Sequence, residues 1–154
     1  MRAHRRGRRR YAYAMPVSCH LLGPGEGKVL LNVAPGVFDR PIDPAYTAEF
    51  LADPRHHLAV ALDNGRVVGM ASAVHYLHPD KPPELWINEV GVAQTHRRRG
   101  IARQLLRLLL SRARELSCAQ AWVLTDPENE PARRLYRGLS RADPRHQAMF
   151  EIDL

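Results

Sequence analysis

The sequence predicts an α/β fold of the mixed kind: one central β-sheet, antiparallel in its N-terminal half, with helices on both faces. Three observations predict it. Two β-rich runs, 56–62 and 66–77, meet at Asp63-Asn64-Gly65, and Asn-Gly accepts the positive φ angles of a tight hairpin. A strand–helix–strand succession follows at 84–92, 101–110 and 119–125, the pattern of a crossover between parallel strands. The 154 residues suffice for one domain with a real core.

Taken in order, Val17 to Leu22 reads as a first strand and Glu26 to Val33 as a short, weakly helical stretch after Gly23-Pro24-Gly25. "APGVFDRPIDP" is a loop. Ala45 to Ala52 is helical, opened by Pro44 and closed by Asp53-Pro54. The hairpin comes next, then the proline-rich turn "HPDKPP" and the apolar strand "ELWINEVGV" from Glu84 to Val92. Ile101, Ala102, Leu105, Leu106, Leu108, Leu109 and Leu110 give a helix with a broad apolar face, with Arg103, Arg107, Arg112 and Arg114 elsewhere. "AQAWVLT" reads as a buried strand, "NEPARRLYRGL" as a second amphipathic helix, and "QAMFEIDL" as a terminal strand.

The net charge of +7 divides unevenly. Residues 1–14 hold six arginines and no acid and read as a basic, disordered tail. Residues 15–154 form the single domain and carry 17 basic against 16 acidic residues. Within it, 35–89 is net −4 and 90–154 net +5. Such polarity would suit a cationic ligand meeting an anionic one, and chance clustering explains it equally well. The tail carries no stacking motif of the kind that reads nucleic acid, so nucleic acid is not expected as a partner. No apolar run reaches the ~20 residues that span a bilayer, and no signal-peptide stretch follows the tail. Cys19 and Cys118 lack metal-ligand spacing and read as free thiols of a cytoplasmic protein. His75 and His78 are three apart on a strand and so point to opposite faces. No metal is expected.

The stretch "INEVGVAQTHRRRGIARQLLRLLL" joins a strand, a basic turn and a helix. The first N–H groups of a helix have no internal partners, and the macrodipole is positive there. That makes an anion site, which Gly100 and Ala102 leave open and Arg97, Arg98 and Arg99 favour electrostatically. A solvated basic face would have the same composition. The Walker sequence is absent, as are the extra glycines of the dinucleotide fingerprint.

Arg97-x-x-Gly100-x-Ala102 resembles the Arg/Gln-x-x-Gly-x-Gly/Ala signature of the GNAT superfamily of acetyl-CoA-dependent N-acetyltransferases. Asn129, Ala132, Leu135 and Tyr136 are similar to its Asn-x-x-Ala-x-x-Leu-Tyr pattern. The resemblance spans most of residues 17–154 and implies the family's fold, with acetyl-CoA as co-substrate. The coenzyme pyrophosphate would rest on the backbone of Arg97, Arg98, Arg99, Gly100, Ile101 and Ala102. The pantetheine arm would run along Val90, Gly91 and Val92, with Asn129 hydrogen-bonding it and Ala132 beside it. Tyr136 would protonate the leaving thiolate. A protonated amine cannot attack a thioester until it loses a proton, and Glu89, where many members carry an acid, is the candidate base, acting through water. An edge-exposed or salt-bridged glutamate and a packing tyrosine are the structural alternatives.

The layout is most similar to the aminoglycoside 3-N-acetyltransferase branch. That likeness implies acetylation of a primary amine on a small cationic substrate, an aminoglycoside among the candidates, by direct attack in a ternary complex. Asp39, Asp43, Glu84 and Asp126 are the acids that could meet such a substrate. The segment before Ala45 is shortened relative to that branch, Ser140 stands where glycine is usual, and Glu89 replaces an aspartate. A protein or peptide N-acetyltransferase and a non-catalytic acyl-CoA-binding module are the alternatives, and a homodimer stays open.

Overall fold

The computed structural model describes residues 16–154; the basic stretch 1–14 lies outside the described residues. The chain forms β1 (Ser18–Leu22), α1 (Pro44–Ala52), β2 (His56–Asp63), β3 (Arg66–Tyr76), β4 (Glu84–Val92), α2 (Ile101–Glu115), β5 (Gln120–Val123) and α3 (Glu130–Arg137). Short 3-10 turns occupy Gly27–Leu31, within the weakly helical stretch, and Gln94–His96. The strands lie in the order β1-β2-β3-β4-β5, antiparallel as far as β4 and parallel between β4 and β5. Helices cover both faces of this mixed sheet.

Local chemistry accounts for the element ends. Asn64 (φ 49°) and Gly65 (φ 77°) make the β2–β3 turn, both in the left-handed region that two-residue hairpins require. Asp43 caps α1: its Oδ1 accepts from the N–H groups of Ala45 at 2.8 Å and Tyr46 at 3.0 Å. Pro44 fills the first helical position, where no N–H is needed. Asn129 caps α3 through the Ala132 N–H at 3.2 Å. Arg112 and Arg114 in the last turn of α2 oppose the negative end of its dipole.

The core lies between α2 and the sheet. Leu105, Leu106 and Leu109 are fully buried, each contributing about 1.5–3 kcal/mol of burial. They pack on Ala59, Ala61, Ala71 and Ala73, residues of alternating strand positions that share one sheet face. Small residues are needed there: a Cβ on Gly69 would lie 3.0 Å from Ile101 and 3.3 Å from Leu105.

One expected element is absent. Residues 147–154 form no strand, and Phe150 is 85% exposed. Alternation reports what a strand would bury, but a strand also needs a row of backbone partners. β5 pairs over four residues with β4, and the chain after α3 turns locally instead: the Ser140 hydroxyl donates to the Ala142 carbonyl and accepts from the Ala142 N–H.

His57, 7% exposed, lies on the α2 face with its Nε2 2.9 Å from His75 Nδ1. Burial, then the neighbouring His75 and Arg112, pushes its pKa down to about 4. His75 is lowered too, mainly by burial. The unfolded chain, titrating near 6.5, therefore binds a proton that the native state refuses between pH 6.5 and about 4. Stability falls as pH drops through that window. We expect a loss of about 1–2 kcal/mol between pH 7.5 and 5, read as a lower Tm, and a flatter dependence for His57→Leu. An equal slope in that variant would remove His57 as the cause.

Candidate active site

The site begins with a mismatch of strand lengths. β4 pairs with β5 only from Glu84 to Ile87, against Gln120 to Val123. β5 then stops, while β4 continues to Val92 along β3. Past Ile87 the β5-side edge of β4 has no strand beside it, so Val90 to Val92, half-buried, offer backbone groups to an extended ligand.

A bulge sets the side-chain directions at this point. Ile87 pairs with Ala73 and Glu89 with Ser72, so Asn88 is the extra residue. Strict alternation would aim Glu89 with Leu85 and Ile87 toward α2. The bulge shifts the phase, and Glu89 instead shares a face with Glu84 and Trp86. Glu89 is exposed. The carboxylate is therefore open to solvent, as the edge-exposed alternative has it.

Beyond Val92 the chain makes the basic turn. Arg97 Nε donates to the Val92 carbonyl at 3.1 Å, folding this side chain back onto β4. His96 Nε2 meets Asp63 Oδ2 at 2.8 Å and ties the turn to the hairpin. Arg98 (φ 62°) and Gly100 (φ 76°) are both left-handed, a conformation that gathers successive N–H groups into a concave nest for anions. Gly100 is the N-cap of α2, and no side chain caps the helix. Its first N–H groups thus face the same open space as the exposed Arg97, Arg98, Arg99 and Gly100. No atom lies within 4 Å of where a Gly100 Cβ would sit, so the helix mouth has room for a phosphate. Ile101 is buried in the core, and Ala102 is half-buried beside it.

Just past the end of α3, Gly138 lies against the Arg103 guanidinium of α2. Tyr136 is half-buried and packs on the core with Leu135 and Leu139. Burial raises the Tyr136 pKa, so the hydroxyl keeps its proton at neutral pH. The Asn129 cap uses Oδ1 and leaves its amide N–H groups available as donors.

The four candidate substrate acids do not converge. Asp43 is occupied as the α1 cap. Glu84 is buried and accepts from Tyr76 Oη at 2.9 Å and Lys81 Nζ at 3.1 Å, so it holds its own surroundings together. Asp126 is exposed after β5, at the opposite end of the parallel pair from Glu84. Asp39 is exposed and lines, with Arg40 and Phe38, an open depression of about 320 Å³. Asp43, Asp53, Asp63 and Glu84 of the acidic 35–89 stretch are engaged in internal contacts.

Sequence reasoning missed two features here. The 33–42 segment crosses β4 so closely that a Cβ on Gly91 would collide with the Val37 carbonyl oxygen. Trp86 and Trp122 stack at 5.1 Å with 8° between their planes. The second was readable in principle, since one tryptophan sits on each of two strands expected to be parallel neighbours. Among the described residues no group of His, Cys, Asp or Glu could hold a metal ion, both cysteines are free, and no helix is long and apolar enough to cross a membrane.

A mixed sheet whose two parallel strands part beside an uncapped, arginine-flanked helix mouth puts an extended backbone edge and an anion site side by side. The profile of the Acetyltransferase (GNAT) family matches residues 29–140, and the chain belongs to that family. An L-2,4-diaminobutyric acid acetyltransferase of Virgibacillus pantothenticus is 33% identical over 82 residues, 53% of this chain and 50% of that protein. The N-alpha-acetyltransferase RimI of Mycobacterium tuberculosis is 34% identical over 103 residues, 67% of this chain and 63% of that protein. The matches span between 40% and 63% of the length of the curated relatives. Among solved structures, an aminoglycoside acetyltransferase from an uncultured soil metagenomic sample superposes with a TM-score of 0.74 at 24% identity, over 90% of this chain and 100% of that one.

Proposed function

We propose that the protein moves an acetyl group from acetyl-CoA to a primary amine of a small cationic molecule, by direct attack in a ternary complex. The parting of β4 from β5 next to the Gly100 helix mouth is the observation that carries this reading. It supplies an extended backbone edge for the pantetheine arm and, one loop later, N–H groups for the pyrophosphate.

In this reading Glu89 removes a proton from the attacking ammonium, through water. The amine nitrogen forms its bond to the acetyl carbon as the carbon–sulfur bond breaks, and Tyr136 gives its proton to the departing sulfur. Tyr136 is reprotonated as the acylated nitrogen sheds its remaining surplus proton. One proton, the one taken up through Glu89, thus passes to solvent per turnover. Asn129 and Ala132 steady the arm, and Arg98 and Arg99 add charge around the nest. The acceptors named for the diaminobutyrate relative and the aminoglycoside neighbour support a small polyamine-like substrate. An aminoglycoside is one such acceptor, and the sequence resemblance points to its 3-amine. Asp39 and Asp126, exposed and free of the caps and pairs that occupy Asp43 and Glu84, are the acids available to it.

Thiol release from acetyl-CoA, measured against aminoglycosides, diamines, amino acids and peptides, tests this. Turnover with small cationic amines is expected. Turnover with peptides alone would favour the protein-acetylating reading, and none at all the non-catalytic one. Glu89→Gln should lower kcat by about 10²-fold with the coenzyme Kd within twofold. An unchanged kcat, with chemistry rate-limiting, would remove Glu89 as the base.

A further inference from the structure

The stacked tryptophans lie where an acceptor would arrive. β4 and β5 hold together through Ile87 and Val123 and part beyond them. On the proposed reading, a coenzyme arm in the gap brings the acetyl group to the bulge at Asn88 and Glu89. The next residues on Glu89's face, moving away from the coenzyme, are Trp86 on β4 and its register partner Trp122 on β5.

The pair is braced from one side. Trp122 Nε1 donates to Tyr76 Oη at 2.8 Å, and Tyr76 donates in turn to Glu84, which Lys81 also holds. This chain fixes the Trp122 ring, and Trp86 stacks nearly parallel to it. Trp86 nevertheless remains 36% exposed, between the buried Leu85 and Ile87. Glu84 already has a cation in Lys81, so what this wall offers a further cation is the indole face, the strongest cation–π acceptor among side chains.

Resting on the function proposed above, we propose that the Trp86–Trp122 stack is the acceptor-binding platform. It holds one protonated amine of a diamine or polyamine over Trp86 while a second, deprotonated amine is acetylated beside Glu89. Trp86 and Glu89 are separated by roughly 7–10 Å along the strand. That distance fits two amines of a short diamine, or of neighbouring rings of an amino sugar.

The chain has only two tryptophans, so its whole tryptophan emission reports on this stack. With coenzyme A present, the full-length protein should show saturable quenching by 1,4-diaminobutane and spermidine, at least tenfold tighter than by butylamine. Trp86→Leu should abolish the response while Trp122 still emits. It should also reduce the KM preference for diamine over butylamine about five- to thirty-fold, with Trp86→Phe intermediate and the coenzyme Kd unmoved. Equal quenching by diamine and monoamine, or an unaltered preference in Trp86→Leu, would overturn the platform. If the wild type releases no thiol with any amine, the acetyltransferase reading fails, and the fluorescence titration still decides whether the stack binds diamines.

Discussion

Gly91→Val should destabilise the protein by about 1–3 kcal/mol or more and weaken coenzyme A binding at the same time. A Cβ at Gly91 would meet the Val37 carbonyl oxygen and sit 3.0 Å from its carbon and 3.5 Å from its Cα. These are backbone atoms, so no rotamer change relieves the collision. The segment cannot simply drift either. Ala34 donates to the Val67 carbonyl at 2.8 Å, and Val67 donates to the Asn32 carbonyl at 2.9 Å, which pins it to β3. Val37 is itself buried. Relief must come from lifting the loop, which exposes Val37, or from pushing β4 away from β3 at the edge proposed to carry the coenzyme arm. We expect Tm to fall by roughly 3–10 °C and the coenzyme Kd to rise. Gly100→Ala is the internal contrast. It is strained by its positive φ, at about 1 kcal/mol or somewhat more, but meets no atom within 4 Å. It should cost less than Gly91→Ala in thermal unfolding. The opposite order would mean that the 33–42 segment does not lie against β4.

That contact shows where sequence reading stopped. The element order was legible because each element announces itself locally. Asn64-Gly65 is a turn by its own chemistry, and Ile101, Leu105 and Leu109 repeat at helical spacing. Asn129 and Pro131 open α3. Arg97, Gly100 and Ala102 were legible as a helix mouth for the same reason. The strand phase of β4 was not, because the extra residue at Asn88 is defined by its pairing with β3. Period-two counting alone would put Glu89 on the α2 face with Leu85 and Ile87, opposite to where the pairing puts it. Composition misled at the acids. The charge of Asp43 or Glu84 can be counted, but which N–H or hydroxyl has already engaged it depends on chain that lies beside it only after folding. The apolar alternation at Phe150, Ile152 and Leu154 likewise describes one side of a pairing whose other side these residues do not find. Close approach of backbone to backbone, as at Gly91, leaves only a glycine in the sequence, and this chain has ten.

Tyr136→Phe should lower kcat by about 10²-fold or more while leaving Tm and the coenzyme Kd almost unchanged. The substitution is narrow because Tyr136 packs through its ring beside Leu135 and Leu139, and phenylalanine keeps that ring. What disappears is one proton donor. A thiolate expelled into a half-buried site is poorly solvated, so a proton delivered as the carbon–sulfur bond breaks lowers the barrier directly. The donor must still hold its proton at the working pH, and burial helps here: it raises the Tyr136 pKa above the ordinary value near 10. Wild-type kcat should therefore show no decline between pH 7 and 9 for want of this proton. Two results separate catalysis from packing. A fall in kcat at constant Tm and constant coenzyme Kd identifies the hydroxyl as the acid. Unchanged kcat in single-turnover measurements, where release of product does not mask chemistry, would leave Tyr136 as a packing residue and return the proton to solvent.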